Sequence, residues 1–325
     1  MTVRTLSFDE VLDRLVHLWK PYHDNYLAMY SSWYGGIIRD PALMMVPVDD
    51  HLVHRGDGVF EVFKCVRNHI YALHRHLDRM EQSAKVSMLD LPMDRSELVK
   101  AITATVAASE AEDCLVRLLV SRGPGGFSAS PYESIERQVY IVVTAHHELP
   151  REKYEEGVRL RTSRVPIKQE FFANIKSCNY LPNVLMKKEA EDAGVDFTVS
   201  LDERGFLGEG PTENVGFITW DREFLVPRFD RILKGITVSR MMELVRPLVE
   251  SGELRAAEEA DITPALARES REIMMFGTSF DVLPVVEYDG LPVGSGRPGP
   301  FSRRFLELLR EDARNCPEMK TPVKD

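Results

Sequence analysis

All nine histidines lie at or before His147, so the C-terminal half of the chain offers neither a histidine base nor a histidine metal ligand. His74 and His76 stand two apart, and His146-His147-Glu148 forms a small cluster, but neither has the spacing of a metal site, and no metal is expected. Gly123-Pro124-Gly125-Gly126 is glycine-rich without the pattern of a dinucleotide or Walker loop, and reads as a plain loop. The chemistry left to the second half is that of lysine, carboxylate and hydroxyl groups. A lysine can form a Schiff base with an aldehyde, and its freed amine can then act as a base. That requires a lowered ammonium pKa, which burial and nearby positive groups supply.

Six segments are informative together. They are Arg55-Gly56-Asp57-Gly58-Val59-Phe60-Glu61, then His76-Leu77-Asp78-Arg79-Met80, then Ile175-Lys176-Ser177-Cys178-Asn179-Tyr180-Leu181. Gly208-Glu209-Gly210-Pro211-Thr212-Glu213-Asn214, Lys234-Gly235-Ile236-Thr237 and Phe276-Gly277-Thr278-Ser279 follow. In this order and spacing the chain resembles the class IV aminotransferases over roughly residues 30–300. These are pyridoxal 5'-phosphate enzymes of fold type IV, and they include the branched-chain and D-amino-acid aminotransferases. The resemblance implies an α+β protein of two mixed α/β domains with the cofactor at the domain interface.

The same resemblance implies roles for individual residues. Lys176 matches the lysine that forms a Schiff base with the cofactor and then shuttles the proton. Glu209 matches the acid facing the pyridine nitrogen. Arg79 matches the arginine on the phosphate, with Ile236, Thr237 and Thr278 as further phosphate contacts. Tyr180 resembles the tyrosine on the phenolic oxygen, one residue closer to the lysine than in the branched-chain enzymes. Physical chemistry agrees: amides at the start of a helix after Gly235 suit a phosphate dianion, and Arg79 adds a permanently charged bidentate partner.

The implied substrates are a small-molecule amino donor and a 2-oxo acid acceptor, used in a ping-pong cycle by a homodimer. Arg55, Phe60, Arg117 and Ser279 are the substrate-side candidates, with Arg55 or Arg117 paired to a substrate carboxylate. Gly56-Asp57-Gly58-Val59-Phe60-Glu61-Val62 is closer to the D-amino-acid enzymes than to the branched-chain ones. Yet Gly125-Gly126-Phe127-Ser128-Ala129 replaces the Arg-x-His carboxylate trap of the D-enzymes, so stereochemistry stays open. Two alternatives are a lyase resembling aminodeoxychorismate lyase and a non-catalytic cofactor-binding or interaction protein.

These residues need elements to hold them. Ser7 ahead of Phe8, Val11, Leu12, Leu15 and Trp19 predicts a packing helix that Pro21 stops. Residues 30–48 predict a hairpin around Tyr34-Gly35-Gly36, with Leu43 to Val48 as an apolar run. Strands are expected at 58–66, 114–121 and 138–145, and helices at 76–88 and 95–108. The charged stretch 148–157 reads as a linker between an N-terminal α+β domain, 1–147, and a C-terminal cofactor domain, 158–325. In the second domain strands are expected near 158–164, 196–201, 214–219, 271–276 and 282–287. Helices are expected near 180–193, 237–250 and 300–314.

Composition sets the outer limits. The 325 residues are 44% hydrophobic and 28% charged, which suits a globular chain of one large or two medium domains. With 41 basic against 51 acidic residues the net charge is −10, which gives no global field for nucleic acid or an anionic membrane. Cys65, Cys114, Cys178 and Cys316 fit neither a disulfide framework nor a zinc site. No apolar run approaches the roughly 20 residues that span a bilayer. The first ten residues lack a signal-peptide core, so a cytoplasmic protein is expected.

Overall fold

The computed structural model describes residues 3–324. They form two compact units: residues through 70 with 89–146 and 322–324, and residues 71–88 with 147–321. The chain therefore changes unit more often than a single linker at 148–157 provides for. Residues Arg151–Glu155 of that stretch form a short helix of the second unit. Lys153 pairs with Asp196 at 2.5 Å and the Tyr154 hydroxyl donates to the Phe280 carbonyl, and these contacts hold the charged segment down.

The first unit contains β1 (Tyr26–Ser31), β2 (Gly36–Ile38), β3 (Gly58–Val66), β4 (His69–Tyr71), β5 (Cys114–Ser121) and β6 (Gln138–Ala145). Their order is β4-β3-β5-β6-β1-β2. The β3–β5 register runs from Gly58 opposite Ser121 to Cys65 opposite Cys114. Val116, Leu118 and Val120 are buried on one face of β5, which turns Arg117 to the other face, where it is exposed. The helix Arg95–Ser109 starts with an Asp94–Glu97 capping box and buries Leu98, Ile102 and Val106.

Two expectations fail in this unit. The helix Phe8–Val16 forms with Ser7 and Glu10 as a capping box, but none of its residues is buried. It meets the unit mainly at the short turn Pro41–Leu43, which cannot cover its apolar stripe. The hairpin closes as β1 and β2, but the run from Leu43 to Val48 forms no strand. Pro41 and Pro47 remove backbone donors that a ladder there would need.

The second unit is built on β7 (Val158–Thr162), β8 (Phe197–Val199), β9 (Asn214–Ile218), β10 (Glu223–Pro227), β11 (Ala256–Ala260), β12 (Glu272–Gly277) and β13 (Asp281–Tyr288). They run in the order β11-β10-β9-β12-β13-β7-β8. Alternation buries both faces. Val215, Phe217, Ile273, Met275 and Leu283 belong to one core, and Ile218, Met274, Phe276 and Val282 to the other. The helices Ile236–Leu244 and Pro300–Asn315 close the second core through Val238, Met241, Phe301 and Phe305. The Glu272 carboxylate caps the latter helix, accepting from the Phe301 and Ser302 amides at 3.1 and 2.9 Å. The expected helix over 237–250 is split at Val245 into Ile236–Leu244 and Arg246–Glu250. Pro247 lacks the amide proton that a continuous helix would use, and its ring crowds the preceding turn.

Candidate active site

Every residue assigned to the cofactor from the sequence lies in the second unit. Arg79 sits on the helix Leu73–Val86, and Ser83 follows one turn later. Ser83 Oγ accepts a hydrogen bond from the Lys176 amide at 3.2 Å. Lys176 follows the short helix Glu170–Ala173 and is only 9% exposed. The Arg79 guanidinium donates to the Lys234 carbonyl at 3.0 Å. One turn before Arg79, Arg75 grips Glu243 through two bonds of 2.8 and 2.9 Å, which fastens this helix to Ile236–Leu244.

Leu233-Lys234-Gly235 is the junction of the cluster. The Leu233 amide donates to Glu209 Oε2 at 3.2 Å, and the Leu233 carbonyl accepts from Asn214 Nδ2 at 3.0 Å. A Cβ on Gly235 would collide with Asn214 Oδ1, so a larger residue here would displace the Asn214 amide from the Leu233 carbonyl. The helix Ile236–Leu244 begins immediately after it, and no side chain caps its first amides. Ile236 and Thr237 are half-buried there. Asn214 stands opposite Phe276 in the β9–β12 register, which brings the turn carrying Thr278 and Ser279 to the same end of the sheet. Thr278 is half-buried and Ser279 is exposed.

Glu209 is clamped on both sides. Its carbonyl accepts from the Ser200 amide and hydroxyl at 3.0 and 2.9 Å, and its own amide donates to Ser200 Oγ at 3.3 Å. Burial pushes its carboxyl up to about 7, against the opposing pull of Lys168, Lys176, the Leu233 amide and Arg79. Tyr180 directly precedes the helix Leu181–Asp192, and the Lys168 ammonium lies 4.8 Å from the centre of its ring. Burial holds the Lys168 ammonium below the ordinary lysine value, and the Glu209 charge pulls it back up.

This set fits a pyridoxal phosphate. Uncapped helix amides and an arginine suit its phosphate. A carboxyl destabilised by burial among cations suits a protonated ring nitrogen. A buried lysine suits its aldehyde.

The remaining substrate-side candidates belong to the first unit. The Arg55 guanidinium donates to the Phe127 carbonyl at 2.5 Å and to the His54 carbonyl at 2.9 Å. Phe60 is half-buried on β3, opposite Leu119. Arg117 donates to Thr144 Oγ1 at 2.9 Å. Asp57 in the Gly56-Asp57-Gly58 turn is gripped by Arg122 at 2.8 and 3.1 Å and touches His51 at 3.2 Å. Burial raises the Asp57 carboxyl, but the bonds from Arg122 and His51 outweigh it and hold the group below the usual carboxylate range.

Four residues of the cluster received no role from the motifs. Ser83 had a usable signal, since it lies four residues beyond Arg79 on a helix. Asn214 closes the Glu209 segment but acts through its amide on Leu233 and its bulk on Gly235. Ser200 and Lys168 lie in loops whose sequence carries no periodic pattern.

Fold and cluster together define a class of protein: pyridoxal-phosphate enzymes of fold type IV. A family model described as "Amino-transferase class IV" matches residues 58–288, and the chain belongs to that family. The chloroplastic D-amino-acid transaminase of Arabidopsis thaliana is 38% identical over 293 residues, 90% of this chain and 78% of that protein. A putative branched-chain-amino-acid aminotransferase of Methanocaldococcus jannaschii is 29% identical over 269 residues, 82% of this chain and 90% of that protein. The T.th. branched-chain amino acid aminotransferase, solved with pyridoxamine 5'-phosphate, superposes with a TM-score of 0.84 at 26% identity. That match covers 92% of this chain and 99% of the other. The protein is therefore a pyridoxal-phosphate-dependent aminotransferase.

Proposed function

We propose that the enzyme moves an amino group from a D-amino acid to a 2-oxo acid, with Lys176 as its catalytic residue. The observation that carries the choice of donor is the 38% identity to the Arabidopsis D-amino-acid transaminase over 90% of the chain. The Gly56-Asp57-Gly58-Val59-Phe60-Glu61-Val62 segment agrees with it. A branched-chain L-amino acid is the second reading, favoured by the 0.84 TM-score to the T.th. branched-chain enzyme.

Pyridoxal phosphate, when bound, supplies the electron sink for the donor's α-carbon. Arg79, the amides of Ile236 and Thr237, and the Thr237 and Thr278 hydroxyls hold its phosphate. Glu209, as a carboxylate, holds a proton on the ring nitrogen, and Tyr180 donates to the phenolic oxygen. Lys176 would hold the cofactor through its aldehyde, and the Lys176 Nζ, once free, would accept and return the donor's proton. Arg55 or Arg117 receives a substrate carboxylate. Each half-reaction leaves one 2-oxo acid or amino acid free, so donor and acceptor alternate on one site in a ping-pong cycle.

The working state in this reading is a homodimer in the cytoplasm. Among the described residues no helix is long and apolar enough to cross a membrane. Sedimentation at equilibrium tests the dimer, and imaging of a tagged chain tests the compartment.

The deciding experiment screens both enantiomers of a panel of amino acids with the holoenzyme and follows 2-oxo acid release. Turnover of D-donors is the expected result, and turnover of L-branched donors alone replaces the first reading by the second. Borohydride reduction followed by peptide mapping should place the label on Lys176, and Lys176→Ala should abolish both label and multiple turnover. A label elsewhere overturns the assignment.

A further inference from the structure

Among the described residues of the cluster, Lys168 is the charged group that the mechanism above does not use. It sits in a loop pinned at several points. Ser163 Oγ donates to Glu189 Oε2 at 2.6 Å, and the Arg164 amide reaches the same carboxylate at 3.1 Å. The Ile167 amide donates to the Leu201 carbonyl at 3.1 Å. A Cβ on Gly208 would stand 2.5 Å from Ile167 Cδ1, so the backbone at 208 and the side chain at 167 are in close contact. Lys168 and Glu209 are the next residues along these two touching strands of chain. The Lys168 Nζ lies 4.8 Å from the centre of the Tyr180 ring. A flexible, strongly hydrated ammonium is held here by packing of its neighbours, by an aromatic face and by an acid.

We propose that Lys168 is a positioning residue of this site, whose ammonium rests on the Tyr180 ring and serves as the counter-charge that keeps Glu209 a carboxylate. The proposal deepens the reading in which Glu209 faces the cofactor ring, and for its functional part it rests on that reading. The groups that act on Glu209 are Lys168, Lys176, Arg79 and the Leu233 amide. Two of these cations have other work, Lys176 on the cofactor aldehyde and Arg79 on the phosphate. In that reading Lys176 would be tied to the cofactor aldehyde, and Arg79 would face the phosphate dianion. Among these side-chain cations Lys168 is the one to which that reading gives no other task. Its ammonium lies against the Tyr180 ring and feels the Glu209 charge through space.

The test compares Lys168→Met, Lys168→Gln and Lys168→Arg in the full chain. Glu209 is titrated in the cofactor-free protein by carbon-13 NMR of labelled glutamate carboxyls, with Glu209→Gln identifying the signal. Loss of the cation should raise the Glu209 midpoint by about one pH unit, and arginine should restore it. In the holoenzyme the acid limb of the kcat/KM profile should move in the same direction for Met or Gln and return for Arg. The glutamine variant keeps the polarity of the position if methionine disturbs folding, and near-ultraviolet circular dichroism checks each variant. An unmoved Glu209 midpoint in a folded neutral variant overturns the proposal. A midpoint that moves while the acid limb stays fixed upholds the Lys168–Glu209 pairing and overturns the catalytic role given to Glu209.

Discussion

Ser83 and Lys176 are joined by a 3.2 Å hydrogen bond, from the lysine amide to the serine hydroxyl, and Ser83 rides on the helix that presents Arg79. One helix thus carries both the serine that holds the Lys176 backbone and the guanidinium assigned to the phosphate. Ser83→Ala leaves the buried Lys176 amide without this acceptor, at a cost of about 1–2 kcal/mol. We expect kcat to fall about 5- to 30-fold with little change in cofactor affinity. Steady-state kinetics beside a cofactor titration separate the two effects.

Arg79 reaches the Lys234 carbonyl, just before the helix whose first amides lack a side-chain cap. In the proposed reading, Arg79→Met removes the charged half of the phosphate cradle and leaves the amides in place. Charge-assisted bonds of this type contribute about 1.5–3 kcal/mol. Cofactor affinity should therefore weaken roughly 10- to 150-fold. Fluorescence titration of the cofactor-free variant measures it, and unchanged affinity removes Arg79 from the phosphate.

Burial raises the Glu209 carboxyl to about 7 from an ordinary value of 4.5. A raised carboxyl binds its proton more tightly in the folded than in the unfolded chain. Its contribution to stability is complete below pH 4.5 and is lost as pH climbs through about 7. Glu209→Gln is a permanently neutral substitute. In the cofactor-free protein its melting temperature, relative to the natural chain, should rise between pH 5 and pH 8. Calorimetric scans at the two pH values check this, and a difference that shrinks toward alkaline pH contradicts it.

Arg117 is exposed in the middle of β5 with one bond to Thr144, whereas Arg55 spends its guanidinium on two backbone carbonyls. Within the proposed function, the less committed cation is the first candidate for the carboxylate partner. Arg117→Met should raise KM for a dicarboxylic 2-oxo acid about tenfold, with a smaller effect from Arg55→Met. The reverse order of effects transfers the role to Arg55.

How far the sequence could be read depended on how each element is stabilised. β3, β5 and β6 carry continuous or alternating apolar residues, and they appear over 58–66, 114–121 and 138–145, as their pattern predicts. β11, Ala-Ala-Glu-Glu-Ala, has no strand-forming residue and owes its state to parallel pairing with β10, a tertiary effect that local composition does not encode. The helix Phe8–Val16 is the opposite case, since its periodicity predicts an element but not whether anything covers it. In the candidate site, Arg79, Lys176 and Glu209 could be singled out because each lies in a compact segment of characteristic order. Ser83, Asn214 and Lys168 act on backbone groups, on bulk and on a neighbour's charge, none of which imposes a spacing along the chain.

Residues 71–88 are embedded in the sequence of the first unit, yet they pack with the second. A fragment beginning at residue 147 would therefore lack both Arg79 and Ser83. A single crossover between residues 88 and 147 separates Lys176 from the helix whose Ser83 holds its amide. An exchange of the second unit alone has to transplant two stretches of polypeptide together, and recombination between relatives meets the same constraint.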